Sequence, residues 1–145
     1  RGGLTKALTL KLHKLLMHNI LWRYAGRFRD IQVRVGDFYP PPPESVPDAF
    51  SRLMRWYIGN KNRYHPLVVA AHFHAHFERV HPFRDGNGRT GRLLLNHILR
   101  SAGYPMLSIP VLERKRYYAT LQAVDSGNLR PLVELLRDRL LAERF

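Results

Sequence analysis

Twelve consecutive residues, His81-Pro82-Phe83-Arg84-Asp85-Gly86-Asn87-Gly88-Arg89-Thr90-Gly91-Arg92, concentrate the groups of this chain that could do chemistry. His81 is the side chain type that takes a proton near neutral pH. Gly86 and Gly88 flank Asn87, and glycines there allow a tight turn whose N–H groups converge on an anion. The apolar run Leu93-Leu94-Leu95 follows, with Ile98 and Leu99 behind it, so the loop opens a helix. The start of a helix adds positive field to such a nest. Arg89 and Arg92 lie three positions apart, hence on one face, one turn into that helix. Asp85 is out of place in a purely anion-binding nest unless it holds a cation, and Mg²⁺ bridging phosphates is the usual case. The chemistry described is a metal-bound nucleotide with a base beside it.

The elements that must position this loop are read from periodicity. Residues 4–18 predict an amphipathic helix with Leu8, Leu12, Leu15 and Leu16 on its apolar face, and His13 and His18 in surface or capping roles. Residues 28–35 alternate, with Ile31, Val33 and Val35 against Asp30, Gln32 and Arg34. Gly36-Asp37 follows as a turn, which predicts a short β-hairpin. Pro40 to Pro43 is a rigid link that fits neither a helix nor a central strand. A helix is expected over about 47–57, from the spacing of Val46, Phe50, Leu53, Met54 and Tyr57. Pro66 opens a helix through Arg79, and its Leu67-Val68-Val69-Ala70-Ala71 run marks it as central and mostly buried.

Of His72, His74 and His76 only the first and last share a helical face, and His-Glu-x-x-His is absent, so these read as packing histidines before zinc ligands. Further helices are expected over 88–101, 112–124 and from Pro131 onward. Gly103 and Pro105 close the first of these, 106–111 is read as extended, and the helix over 112–124 carries Tyr117 and Tyr118. The fold class is mostly α: about six helices around a central pair carrying the loop, with one β-hairpin.

The 145 residues suit one domain, 1–145, and 45% hydrophobic content fits a packed core. Cysteine is absent, which removes disulfides, thiolate metal sites and cysteine nucleophiles, and fits a reducing, cytoplasmic setting. No stretch is long and apolar enough for a membrane span, and no signal peptide is visible. The chain opens on Arg1-Gly2-Gly3, which suggests a fragment lacking upstream elements. A net charge of +13 raises nucleic acid as a partner, yet the basic residues are dispersed and no nucleic-acid recognition signature occurs.

The central stretch resembles the signature of the Fic family, His-x-Phe-x-Asp/Glu-Gly-Asn-Gly-Arg-x-x-Arg, at every fixed position: His81, Phe83, Asp85, Gly86, Asn87, Gly88, Arg89 and Arg92. The likeness extends over nearly the whole chain from about residue 8. It includes Ala25-Gly26-x-Phe28-Arg29, His65-Pro66, Ala102-Gly103-Tyr104-Pro105, Tyr117-Tyr118 and Gly127-Asn128-x-x-Pro131. It is nearest the subgroup that includes the animal endoplasmic-reticulum Fic enzyme.

The resemblance implies the Fic fold and a protein adenylyltransferase that moves AMP from ATP to a Tyr, Thr or Ser hydroxyl of a target protein. His81 would be the general base, and Asp85 would hold Mg²⁺ against the α- and β-phosphates. Asn87, Arg89 and the loop amides of Gly86 and Gly88 would hold phosphate oxygens, and Arg92 would meet the γ-phosphate. Phe83 would be structural, and Tyr117 and Tyr118 would wall the adenine. The hairpin over 29–39 would be a flap that docks the target by strand addition.

Relatives that phosphorylate instead carry a lysine near the position of Gly88, and phosphocholine-transferring relatives replace the first glycine, here Gly86. Many members are held off by a Ser/Thr-x-x-x-Glu-Gly/Asn helix whose Glu pairs with the second arginine. None of Glu44, Glu78, Glu113, Glu134 or Glu143 has Ser or Thr four residues earlier, so an inhibitory segment is expected upstream or on a partner. Without that Glu, poor removal of AMP is expected. The alternatives from other classes are a basic nucleic-acid-binding module and an inactive nucleotide sensor.

Overall fold

The computed structural model describes residues 3–143. Among them six α-helices occur: α1 Lys6–Met17, α2 Val46–Asn60, α3 Pro66–Val80, α4 Asn87–Ser101, α5 Arg114–Asp125 and α6 Arg130–Glu143. Single 3₁₀ turns precede α2 and α5. Helix α3 is the hub, packed against α2, α4 and α6, while α1 lies on α4 and α5 on α6. None of these helices is long and apolar enough to cross a membrane.

Local sequence accounts for most helix starts. Thr5 caps α1, its hydroxyl accepting the Leu8 N–H at 3.0 Å. Pro47 and Pro66 sit in the first turns of α2 and α3, where a missing N–H costs no helical bond. His65 caps α3, its Nδ1 accepting the Leu67 N–H at 3.1 Å. The apolar faces of α2 (Phe50, Leu53, Met54, Tyr57) and α6 (Leu132, Leu135, Leu136, Leu140) then turn inward on α3. Because α3 is covered by three helices, its buried side extends to Ala70, Ala71, Phe73, His74 and Phe77, which explains its continuous apolar run. One hydrophobic cluster collects residues from all six helices.

The expected hairpin is corrected by the structure. Among the described residues no strand forms; Val35 and Phe38 make one isolated antiparallel bridge about the Gly36-Asp37 turn. The carbonyls a ladder would use are taken by side chains. Arg29 donates to Ile31 and Pro41, and Gln32 to Val33 and Pro40. Prolines 40–43 then offer no N–H to extend the pairing. The stretch 106–110, read as extended, lies outside the helices; Asn96 holds it by accepting the Leu107 N–H and donating to the Leu107 carbonyl, at 2.8 and 3.0 Å. Helix α5 starts at Arg114, after a 3₁₀ turn over Val111–Glu113, slightly later than its periodicity predicts.

Candidate active site

Residues 81–86 join the end of α3 to the start of α4, and left-handed backbone marks both ends. His81 caps α3 at φ 50°, with its N–H on the Phe77 carbonyl at 3.0 Å. A residue bearing a Cβ holds that conformation only where its surroundings over-determine it. Here the fixing group is Arg29, 3% exposed. Its Nε donates to the His81 carbonyl at 2.6 Å, and its terminal nitrogens reach the carbonyls of Pro41, Ile31 and Val80 at 2.6, 2.9 and 3.2 Å. At the other end Gly86 has φ 80°, and a Cβ on it would fall 2.7 Å from Met17 Sδ, so only glycine fits.

Between these ends the loop is closed from inside. The Asn87 amide clasps the Phe83 backbone, accepting its N–H at 2.9 Å and donating to its carbonyl at 2.8 Å. Phe83 is fully buried and stacks on His13 at 3.7 Å between ring centres. His13 is not the surface or capping residue its helical position suggests; it is fully buried beneath the loop. Its Nδ1 accepts the Gly26 N–H at 2.9 Å, so Nε2 carries the proton and donates to the Asp85 carbonyl at 2.8 Å. Burial holds its imidazole below the ordinary histidine range, and the Asp85 carbonyl and carboxylate oppose that shift. His18 does cap, its Nδ1 lying 3.2 Å from the Leu15 carbonyl.

His81, Arg84, Asp85, Gly86, Asn87, Gly88, Arg89 and Arg92 line one open cavity of about 220 Å³. All seven expected loop residues are therefore brought together. Tyr117 and Tyr118 are not in that lining. Tyr117 is 3% exposed with its hydroxyl 2.5 Å from His74 Nε2, and Tyr118 lies outward at 55%. Asn87 sits at the cavity, but both ends of its side chain are engaged by Phe83. Its backbone N–H, in the first turn of α4, remains for an anion.

His81 is pushed below its ordinary range chiefly by burial, with the Arg29 charge adding to that. The Glu78 carbonyl and the Asp85 carboxylate work in the opposite direction. A neutral imidazole at the cavity has one ring nitrogen able to accept a proton. Asp85 accepts the Gly86 N–H on Oδ1 at 2.7 Å and presents its carboxylate at the rim. Two larger cavities, of about 520 and 850 Å³, contain no Asp or Glu in their linings, so the loop cavity is where a carboxylate meets anion-binding amides. Of the histidines on α3, His72 stacks on Trp56 at 3.7 Å and against His76 at 4.1 Å, and His74 is hydrogen-bonded in the interior.

Arg29, His13, Glu78 and Gly91 are parts of the site that reading by residue type misses. Arg29 and Gly91 are legible only as members of longer matching stretches. His13 and Glu78 give no signal, since neither their spacing nor their type distinguishes them from surface residues.

Residues 3–99 match the Fic/DOC family. Proteins named "Protein adenylyltransferase Fic" from Drosophila melanogaster and Drosophila erecta are 38% and 39% identical over 130 residues. Those alignments take in 89% of this chain and 26% of each relative. The chain thus spans about a quarter of the length of the curated relatives it matches. A solved Fic-1 structure from C. elegans is 35% identical with a TM-score of 0.83, over 97% of this chain and 41% of that one. A Fic domain containing signaling protein from Bacteroides thetaiotaomicron aligns at 28% identity and a TM-score of 0.84, over 96% of this chain and 60% of that one.

Proposed function

The chain belongs to the Fic/DOC family, and from that premise we propose that it transfers AMP from ATP to a hydroxyl of a target protein. One observation carries the reading: an imidazole, a carboxylate, backbone amides at a helix start and two arginines line a single cavity. The names borne by its Drosophila relatives support the same activity.

The target's Tyr, Thr or Ser oxygen attacks the α-phosphorus. A new O–P bond forms as the bond to the bridging oxygen breaks, and pyrophosphate leaves. The hydroxyl proton passes to the unprotonated ring nitrogen of the neutral His81 imidazole. Because burial keeps that imidazole neutral at pH 7, it is ready to accept. Loop N–H groups at the start of α4, with Arg89, neutralise phosphate oxygens where charge develops, and Arg92 meets the γ-phosphate. Arg29 acts at one remove, fixing the backbone from which His81 projects.

Asp85 suits Mg²⁺. The ion needs only one or two protein carboxylates when phosphates and water complete its shell, and no cluster of three acidic or imidazole groups is built among the described residues. When bound there, Mg²⁺ supplies charge neutralisation for the phosphates. Residues 29–39 dock the target as an extended chain, because the N–H groups over 30–34 make no backbone hydrogen bond. An inhibitory Glu from an upstream or partner segment would compete for Arg92; a full-length sequence without that pattern counts against this part.

The test is incubation with Mg²⁺ and ATP labelled on either the α- or the γ-phosphate, beside His81→Ala. Label is expected on protein from α-labelled ATP alone, falling about 10²-fold or more in the variant. Transfer of the γ-label would mean an inverted nucleotide. Binding of ATP with no transfer of either label would reduce the chain to a nucleotide sensor.

A further inference from the structure

The stretch that docks the target is tied to the catalytic loop at two points. At the first, the buried Arg29 donates its N–H to the Pro82 carbonyl at 2.8 Å and its Nε to the His81 carbonyl. The second involves the next residue along the chain, Asp30. Arg84, at an unspecified position of the motif, donates from Nε and a terminal nitrogen to Oδ1 of Asp30, at 3.1 and 2.5 Å. Its guanidinium also lies over the Tyr24 ring, 3.6 Å from the centroid, and its side chain lines the loop cavity beside Asp85. The Asp30 side chain is 70% exposed and that of Arg84 25%. An exposed ion pair adds little to stability, so the consequence of this one is geometric. Stacking on Tyr24 fixes the guanidinium plane, which removes much of the rotamer freedom that such a pair otherwise gives up.

Asp30 opens the edge whose N–H groups over 30–34 make no backbone hydrogen bond. An edge held to the loop only at Arg29 can turn about that residue, and a second tie at the next residue fixes its direction. A chain added to that edge advances about 3.3 Å per residue and alternates its side chains, so a slip of one position turns a hydroxyl away from the cavity. We propose that Arg84 and Asp30 are positioning residues for the target: their ion pair, braced on Tyr24, sets the register of the docking edge against His81 and so selects which hydroxyl of a bound chain is modified. The proposal rests on the reading of residues 29–39 as the docking edge and of the loop cavity as the place of AMP transfer.

The experiment supplies Mg²⁺, α-labelled ATP and synthetic unstructured peptides, each with two adjacent hydroxyl residues, to the native chain, Asp30→Ala, Arg84→Lys and the double variant. The labelled position is read by fragmentation mass spectrometry, and affinity for Mg²⁺–ATP by calorimetry. The native chain is expected to favour one hydroxyl of each pair. Asp30→Ala is expected to lower transfer about 3- to 10-fold and spread label over both hydroxyls, with ATP affinity within about twofold of native. Arg84→Lys keeps a charge but loses the fork and the stack, so it is expected to spread label likewise. The double variant is expected to add nothing to Asp30→Ala. Label unchanged in position with Asp30→Ala, additive losses in the double variant, or a loss of ATP affinity as large as the loss of transfer would overturn the proposal. If the native chain binds ATP but labels no peptide, the docking reading itself fails and the proposal falls with it. Should Asp30→Ala not fold, hydrogen exchange at the native Arg84 Nε–H decides: a rate as fast as that of a free arginine overturns the ion pair.

Discussion

Gly91 occupies one of the four unspecified positions of the motif, yet its environment is as restrictive as that of the motif's glycines. A Cβ there would fall 2.2 Å from Glu78 Oε2 and 3.2 and 3.3 Å from the rings of Phe77 and His74. The Phe77 and His74 rings are fully buried groups of α3, and the end of the Glu78 side chain would have to move aside. Gly91→Ala is expected to destabilise the protein by about 1–3 kcal/mol in denaturant unfolding, the usual cost of overpacking a core. Gly88 is different: its nearest neighbour is the end of the flexible Arg92 side chain at 3.1 Å, so Gly88→Ala should cost less stability and act on ATP binding through Arg92. The types and spacing along 81–92 made the base, the carboxylate and the arginines legible without coordinates. Which way each side chain faces was not. Asn87 turns to Phe83, and Tyr117 turns inward to His74, because partners distant in sequence decide both orientations.

At the scale of the element, α3 carries two buried ionisable groups whose pH dependences oppose each other. His74 has its pKa lowered from 6.5 to about 4, with burial the main cause. Its contribution is complete above pH 6.5 and is lost as pH falls toward 4, on the order of 3 kcal/mol. Glu78 is raised from 4.5 to about 7, again by burial. Its contribution is complete below pH 4.5 and is lost as pH rises through 7. In thermal melts the two dependences largely offset each other in the native chain between pH 4.5 and 6.5, and the Tm difference between Glu78→Gln and the native chain should shift in favour of the variant from pH 5 to pH 8. A difference that does not change with pH would contradict the buried state of Glu78.

The joint between elements depends on Arg29. Replacing it with Met would leave four carbonyls without their donor and free the left-handed turn at His81. A loss of about 3 kcal/mol or more is expected in denaturant unfolding, with transfer falling further than nucleotide binding. Helical periodicity made all six helices readable, since burial on one face is a local pattern. The hairpin failed because alternation describes which side chains face out, and says nothing of whether carbonyls are already taken by Arg29 and Gln32.

Across the whole molecule, one apolar cluster drawn from six helices fixes a cavity at the α3–α4 junction, while residues 30–34 lie outside it with N–H groups that make no backbone hydrogen bond. In hydrogen–deuterium exchange, amides 30–34 should exchange far faster than those of α3 and α4, and slow when a target chain is bound. Protection of 30–34 in the free protein would contradict the bridge-only arrangement. This arrangement also bears on selectivity. Peptide groups are common to every polypeptide, so a backbone edge works as a universal coupler and cannot by itself tell one protein from another. On the docking proposed above, recognition of a target then resides in the side chains flanking the edge. Exchanging those side chains, with the edge left intact, is expected to change which proteins are labelled without altering the backbone pairing that holds them.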